Sequence, residues 1–79
     1  MLFLKYLNHI ERIDQLIKLQ ATGSPKLLAK TLEISESHLY KLLNLMKILG
    51  APIKYNKYKR TYYYNNKVTF SPIFLTNTD

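Results

Sequence analysis

The chain has 79 residues, of which 47% are hydrophobic, 12 are lysine or arginine, five are acidic and none is cysteine. A chain of this length has room for one domain with one small core, and the absence of cysteine excludes disulfides, thiolate chemistry and cysteine-ligated zinc. The longest apolar run (MLFLKYL) is far shorter than the roughly 20 residues of a transmembrane helix and lacks the order of a signal peptide. We therefore expect a soluble, cytoplasmic protein.

The positive charge lies mainly in the second half of the chain. The formal net charge is +7. Residues 1–39 hold five basic and four acidic side chains, whereas residues 40–79 hold seven basic side chains and one acidic one. A one-sided basic field attracts a polyanion, most often nucleic acid and less often an anionic membrane surface. The alternative is a charge that only keeps the protein in solution.

A first helix is predicted over about residues 2–20. The residues spaced for its apolar face are Tyr6, Ile10, Ile13, Ile17 and Gln20. The polar face, which we expect to be solvated, carries Glu11, Arg12, Asp14, Gln15 and Lys18. Asn8 is a second candidate for the start of the helix, and residues 2–7 would then form a separate apolar arm. Gly23 is expected to end the helix, because glycine adopts a left-handed turn at little cost.

Serines mark the starts of two further helices. Ser24 followed by Pro25 is an N-cap and first-turn pair, and predicts a short helix over about residues 25–32. Ser35 is the N-cap of a longer helix over about residues 36–49, which Gly50 ends. The three intervening residues give the spacing of a helix-turn-helix.

The hydrophobic period then changes from that of a helix to that of a strand. Ile53 and Tyr55, and later Tyr62 and Tyr64, alternate with other residues, and residues 56–61 between them are polar and basic. This pattern predicts a hairpin over about residues 52–65, with these four side chains on one face. Residues 66–79 are predicted to form a further short strand or a tail.

The stretch from Glu11 to Tyr64 resembles the winged helix-turn-helix domain of DeoR-type and WYL-associated transcriptional regulators, and the operator-binding domain of the biotin repressor. The matching residues are Ser24-Pro25, Leu28-Ala29, Leu32-Glu33-Ile34-Ser35, Leu39-Tyr40-Lys41, Met46-Lys47, Leu49-Gly50-Ala51-Pro52-Ile53, Tyr55 and Tyr62. The resemblance implies an α+β, mainly α fold with one domain over residues 1–79, in which three helices precede a two- or three-stranded antiparallel β wing. It also implies sequence-specific binding of double-stranded DNA by a small bacterial-type transcriptional regulator.

Three features depart from the family pattern. Glu33 stands in the turn where the family usually has glycine, and a left-handed conformation at a residue with a side chain costs on the order of 1 kcal/mol. Leu42 stands where DeoR-like helices often carry aspartate, which widens the apolar face of the third helix. No effector-binding domain follows, so we expect no effector sensing by that route.

The third helix presents its outward and N-terminal side chains to base edges if it enters a major groove. The candidate base contacts are Glu36, Ser37, His38, Tyr40, Lys41 and Asn44. Lys41 is suited to guanine, Asn44 to adenine and Glu36 to cytosine. The alternative for Glu36 is a first-turn acid that favours the helix dipole, and the alternative for Tyr40 is a ring half-buried on the helix flank.

A second group of side chains is expected to contact the DNA backbone. Its members are Ser24, Lys26, Lys47, Lys54, Lys57, Tyr58, Lys59 and Arg60. Most lie on or around the tip of the predicted hairpin, where a wing follows the phosphates or enters the minor groove. Tyr58, between two lysines, is placed to pack against sugar. The alternative is a solvated charged edge that prevents strand-edge aggregation.

No catalytic activity, metal site or cofactor is expected. The chain lacks a Gly-rich phosphate loop and a Ser/His/Asp grouping, and its acids are scattered. His9 and His38 lie on different helices, and two histidines without cysteine make a poor metal site.

Two other binding functions remain open. The tyrosine-rich hairpin is an alternative surface for single-stranded nucleic acid, which stacks its bases on aromatic rings. A protein-interaction adaptor is another, because fold does not dictate function. The apolar segments Leu2–Leu7 and Ile73–Leu75 are candidate surfaces for a homodimer, unless both pack on the core of their own monomer.

Overall fold

Three helices are followed by a two-stranded antiparallel sheet in the computed structural model, which describes residues 2–65 and, for Leu2 and Phe3, the backbone alone. The helices are α1 (Leu2–Lys18), α2 (Pro25–Leu32) and α3 (Glu36–Ile48), and the strands are β1 (Ile53–Asn56) and β2 (Thr61–Tyr64). The prediction of a mainly helical α+β fold is confirmed at this level. The predicted strand or tail over residues 66–79, with its Ile73–Leu75 surface, lies outside the described residues. No helix within residues 2–65 has the length and apolar character needed to cross a membrane.

Helix α1 runs without a break from Leu2, so the alternative start at Asn8 is wrong. The helix ends at Lys18, two residues before its predicted end, and Gln20 adopts the left-handed conformation with φ 51°. The N–H groups of Gln20 and Ala21 donate to the carbonyls of Ile17 and Leu16, which closes the helix end. Gln20 is therefore exposed rather than on the apolar face, because helical spacing no longer applies after Lys18. Gly23, which was expected to end α1, is also left-handed but lies just ahead of α2.

The connection between α2 and α3 follows the predicted cap pattern. The Ser24 hydroxyl accepts the N–H of Leu27 at 3.2 Å, and the Ser35 hydroxyl accepts the N–H of His38 at 3.0 Å. Glu33 is left-handed, with φ 60° and ψ 43°, so it takes the conformation that glycine usually takes in such a turn. Its N–H donates to the carbonyl of Lys30. The starts of α2 and α3 are thus fixed by the two serine caps that the sequence predicts.

The core is built from all five elements. Its most deeply buried side chains are Ile10, Ile13, Ile17, Leu28, Leu39 and Met46. Leu42 is also buried, which confirms the widened apolar face of α3. Ile53 and Tyr62 close the core from the sheet side, and Tyr6 packs against it from α1. Within the Leu2–Leu7 segment, Tyr6 thus packs on the core of its own monomer, while Leu4 remains exposed.

Asp14 is buried, contrary to its predicted place on a solvated face. Only 6% of its surface is exposed. The Tyr64 hydroxyl donates to Asp14 Oδ1 at 2.5 Å, and Lys18 Nζ lies 3.0 Å from Oδ2. Burial, and then the hydrogen bond to Asp14, raise the pKa of the Tyr64 hydroxyl. The prediction failed because β2 packs against α1 and covers this part of the polar face.

A buried pair of threonines joins the α1–α2 loop to the sheet. The Thr22 N–H donates to Thr61 Oγ1 at 3.2 Å, and the Tyr62 N–H donates to Thr22 Oγ1 at 2.8 Å. Both threonines are buried. These bonds satisfy two backbone N–H groups that would otherwise be buried without a hydrogen-bond partner. They also fix the sheet relative to the α1–α2 loop.

The sheet has the register that the alternating pattern predicts. Ile53 pairs with Tyr64 and Tyr55 with Tyr62, so these four side chains share the face that packs against the core. The rings of Tyr55 and Tyr62 lie 4.9 Å apart between centroids. The hairpin prediction over residues 52–65 is therefore confirmed, with the paired strands occupying 53–56 and 61–64.

Candidate nucleic-acid interface

The outward face of α3 is polar and open to solvent. Successive helical residues are rotated by about 100°, so the face opposite the buried Leu39 and Met46 carries Ser37, Lys41 and Asn44. All three are exposed. Three of the six predicted base contacts therefore lie where a ligand placed along α3 meets them. Their types offer a hydroxyl, an ammonium and an amide to such a ligand.

Glu36 and Tyr40 lie on the flank of α3 opposite to the flank that carries His38. Burial raises the pKa of Tyr62 to about 12, and the nearby charges of Tyr40, Tyr55 and Glu36 act in the same direction. Half of the Tyr40 surface is exposed. Tyr40 is therefore accessible from beside the helix, although it does not stand on the outward face.

His38 lies on the opposite flank of α3, against α1. It is half-buried, and its ring meets the edge of Tyr6 at 5.2 Å and that of His9 at 6.0 Å between centroids. The two histidines do lie on different helices, as predicted, but the fold brings their rings together. Lys5, Tyr6 and His9 are neighbours of the site that the sequence does not predict. Helical spacing relates residues on one helix only, so no signal in the sequence pairs α1 with α3 here.

The basic hairpin loop is held in shape by the side chain of Asn56. Asn56 Oδ1 accepts the N–H groups of Tyr58 and Lys59 at 2.9 and 3.0 Å, and Arg60 is left-handed with φ 52°. The loop side chains, all exposed, are Lys57, Tyr58, Lys59 and Arg60. Tyr58 is 98% exposed. The loop thus presents three cations and one unburied aromatic ring from an ordered turn.

The remaining predicted backbone contacts are spread over three elements. Lys54 is exposed on β1, and Lys47 is exposed in the last turn of α3. Lys26 is exposed in the first turn of α2, whereas the Ser24 hydroxyl is already used as the cap of that helix. Ser24 and Lys26 therefore stand apart from the α3 and hairpin groups along the chain.

No family model, curated protein or solved structure matches this chain. Its function is inferred from the surface chemistry of residues 2–65. Among these residues, no group of three His, Cys, Asp or Glu side chains is placed to hold a metal ion. The surface features that could bind a ligand are the polar face of α3, the basic loop and the grooves beside α3.

Two grooves adjoin each other along the flank of α3 that faces α1. One, of about 370 Å³, lies between α1 and the α2–α3 connection, and the other, of about 280 Å³, opens toward the outward face of α3. Tyr6, Ser35 and His38 line both. We call the two together the α1–α3 groove. Its polar and charged lining residues are Lys5, Tyr6, His9, Glu33, Ser35, Ser37, His38 and Lys41.

The surroundings of His9 in the α1–α3 groove disfavour its protonation. Its pKa is lowered first by burial, then by the charge of His38 and by that of Lys5. Nδ1 of His9 is buried and has no hydrogen-bond partner within residues 2–65. A proton added there would need an acceptor that the groove does not supply, because a charged imidazole donates from both nitrogens.

Proposed function

We propose that this chain is a winged helix-turn-helix protein that binds double-stranded DNA and regulates transcription. Helix α3 is the recognition helix, and the hairpin of β1 and β2 is the wing. The order of three helices and an antiparallel hairpin supports the proposal. The observation that carries it is the exposure of Lys41 and Asn44 on α3 together with the cations of the ordered loop over residues 57–60.

The side chains of α3 suit the edges of base pairs. An α-helix fits the major groove of B-form DNA, where a lysine donates to the acceptors of guanine and an amide forms two hydrogen bonds with adenine. Lys41 and Asn44 are one turn apart on the outward face and free of the core. In this arrangement Ser37 meets a base or a phosphate nearer the start of the helix.

The loop suits the phosphate backbone. Lys57, Lys59 and Arg60 carry three positive charges within four residues, and the backbone that holds them is ordered by Asn56. Neutralising phosphates with such side chains releases condensed counterions, which supplies most of the sequence-independent affinity. The ring of Tyr58 is open to solvent in the free protein, and packing on a deoxyribose would cover it.

The tyrosines of the sheet argue against a single-strand platform. Base stacking needs exposed aromatic faces. Tyr62 is buried, Tyr55 and Tyr64 pack against the core, and the hydroxyl of Tyr64 is engaged by Asp14. The face that carries these rings is covered by the helices, so it is not available for stacking.

A protein partner is the second candidate function. Ile48 and Leu49 at the end of α3 are exposed by 72% and 46%, and Leu45 one turn earlier is also exposed. An apolar stripe of this kind suits a protein surface, a homodimer included, rather than DNA. Apolar contacts would give affinity that changes little with salt, whereas phosphate contacts give a steep dependence.

Selection of bound sequences from a random duplex pool tests the division between helix and wing. The pool is expected to converge on one sequence or on a repeated half-site. Lys41→Ala is then expected to weaken binding to the selected duplex by about 1–3 kcal/mol and to weaken binding to random duplex by less. Lys57→Ala and Arg60→Ala are expected to weaken binding to both duplexes equally, because phosphates carry no sequence information.

The matched control is Lys30→Ala, which removes one exposed charge from α2. It is expected to leave the ratio of selected to random affinity unchanged. If Lys41→Ala and Arg60→Ala changed that ratio equally, the assignment of α3 as the reading element would be wrong.

A further inference from the structure

We infer that the α1–α3 groove holds a backbone phosphate of bound DNA between Lys5, His9 and His38, and that DNA binding therefore takes up protons near neutral pH. This inference rests on the proposed function and adds a regulation to it. It assigns a role to α1, which carries none of the predicted contacts.

The position of the groove makes the contact geometrically available. The α1–α3 groove begins at Lys5 and His9 and ends at Ser37 and Lys41 on the outward face of α3. His38 lines both parts of it. A duplex lying along Lys41 therefore brings its sugar-phosphate backbone to the mouth of the groove, since the strands flank the helix that lies in a major groove.

The charges around the groove favour an anion once the imidazoles are protonated. Lys5 stands on α1 at one side, and Arg12 lies with His9 in a neighbouring depression. Glu33, from the α2–α3 connection, lines both and is the carboxylate of the group. The formal charges of Lys5, Arg12, Lys41 and Glu33 sum to +2, and two protonated histidines raise the sum to +4. The extra charge is unfavourable in the free protein and is offset by a phosphate.

The proton uptake is expected at the histidines of the groove. The chain has two histidines and no cysteine, and no other side-chain type ordinarily changes its charge between pH 5 and 8. In the free protein partial burial and the charges of His38 and Lys5 lower the pKa of His9 and so disfavour its protonation. A phosphate in the groove reverses that balance, so the complex binds more protons than the free protein. Affinity for DNA then rises as the pH falls, by up to about tenfold per pH unit for each proton taken up.

Free-protein stability is expected to move in the opposite direction. His9 has a lower pKa in the folded protein than the ordinary histidine value of 6.5, so the stability it contributes is present above about pH 6.5 and is lost as the pH falls further. DNA affinity that rises while the free energy of unfolding falls therefore separates phosphate binding from a purely structural effect of the histidines.

The test measures the affinity of the full chain for a random-sequence duplex at pH 8, 7 and 6 and constant ionic strength. We expect affinity to rise on the order of tenfold from pH 8 to pH 6. The double variant His9→Gln, His38→Gln is expected to show no rise in affinity between pH 8 and pH 6, and the readout is this ratio of affinities rather than the affinity at either pH. NMR titration of both imidazoles in the free wild type and in the complex needs no variant, and the complex is expected to show the higher pKa at His9.

Three outcomes overturn the inference, and they are distinguishable. A wild type that binds duplex with an affinity independent of pH contradicts the proton uptake but leaves the proposed function intact. Absence of duplex binding at every pH refutes the proposed function itself. If inorganic phosphate shifts the imidazole signals at pH 6 while duplex leaves them unchanged, the groove binds free phosphate and not the DNA backbone.

Discussion

The triple variant Lys57→Gln, Lys59→Gln, Arg60→Gln is expected to lose duplex affinity by about 10²–10³-fold at 0.1 M salt. Each phosphate contact contributes a slope of about −0.9 to the plot of log affinity against log salt, so three lost contacts account for the loss. The slope itself is expected to become shallower by almost three. The free energy of unfolding is expected to change little, because all three side chains are exposed.

Single-charge variants provide the matched comparison. Lys59→Gln and Lys30→Gln each remove one positive charge from an exposed site, one on the loop and one on α2. Only Lys59→Gln is expected to reduce the salt slope by about one. Equal effects of the two variants would mean that net charge alone drives the binding, and the loop would then not be a wing.

Asp14→Ala is expected to lower the free energy of unfolding by about 2 kcal/mol, because it leaves the Tyr64 hydroxyl without the carboxylate that accepts its hydrogen bond. For a domain of this size the loss corresponds to a fall in Tm of about 10 °C. Chemical and thermal denaturation measure both quantities. The lost ion pair with Lys18 adds little, since that lysine is largely exposed.

Glu11→Ala is the control for Asp14→Ala. Both residues are acids on α1, and the sequence places both on one solvated face, but Glu11 is exposed and Asp14 is buried. The control is expected to change the free energy of unfolding by less than about 0.5 kcal/mol. Tyr64→Phe, which removes the hydroxyl alone, is expected to be destabilising as well. Equal, small effects of Asp14→Ala and Glu11→Ala would show that the carboxylate does not support the fold.

Local chemistry explains why much of the fold could be predicted. The caps at Ser24 and Ser35 act within three residues, and the left-handed Glu33 follows from the short connection that the two helices need. The alternation of Ile53, Tyr55, Tyr62 and Tyr64 determines which side of the hairpin is buried. Each of these features depends on neighbours in the chain, which a single sequence displays.

The errors concern contacts between distant parts of the chain. Asp14 was assigned to solvent because its helix position is polar, and nothing near it in the sequence shows that the Tyr64 hydroxyl, fifty residues away, covers it. The proximity of His9 and His38 depends in the same way on how α1 packs against α3. The predicted end of α1 is wrong for a different reason, because Gln20 adopts the left-handed conformation that the sequence predicts for a glycine.

The sequence predicts the exposed residues of the candidate site on α3 and on the loop, but not the groove beside α3. Exposure of Ser37, Lys41 and Asn44 follows directly from the period of the helix. The loop over residues 57–60 is exposed because it joins two paired strands and carries charge. The groove beside α3 could not be predicted, because it forms only where α1 meets the α2–α3 connection.

The salt dependence of duplex binding tests the central claim most directly. With about six phosphates contacted, the affinity of the wild-type chain for duplex DNA is expected to fall about 10³-fold as salt rises from 50 to 200 mM. The selected duplex is expected to retain its advantage over random duplex throughout that range. Absence of duplex binding at 50 mM salt, or an affinity that stays constant up to 200 mM, would contradict the assignment of this basic surface to DNA.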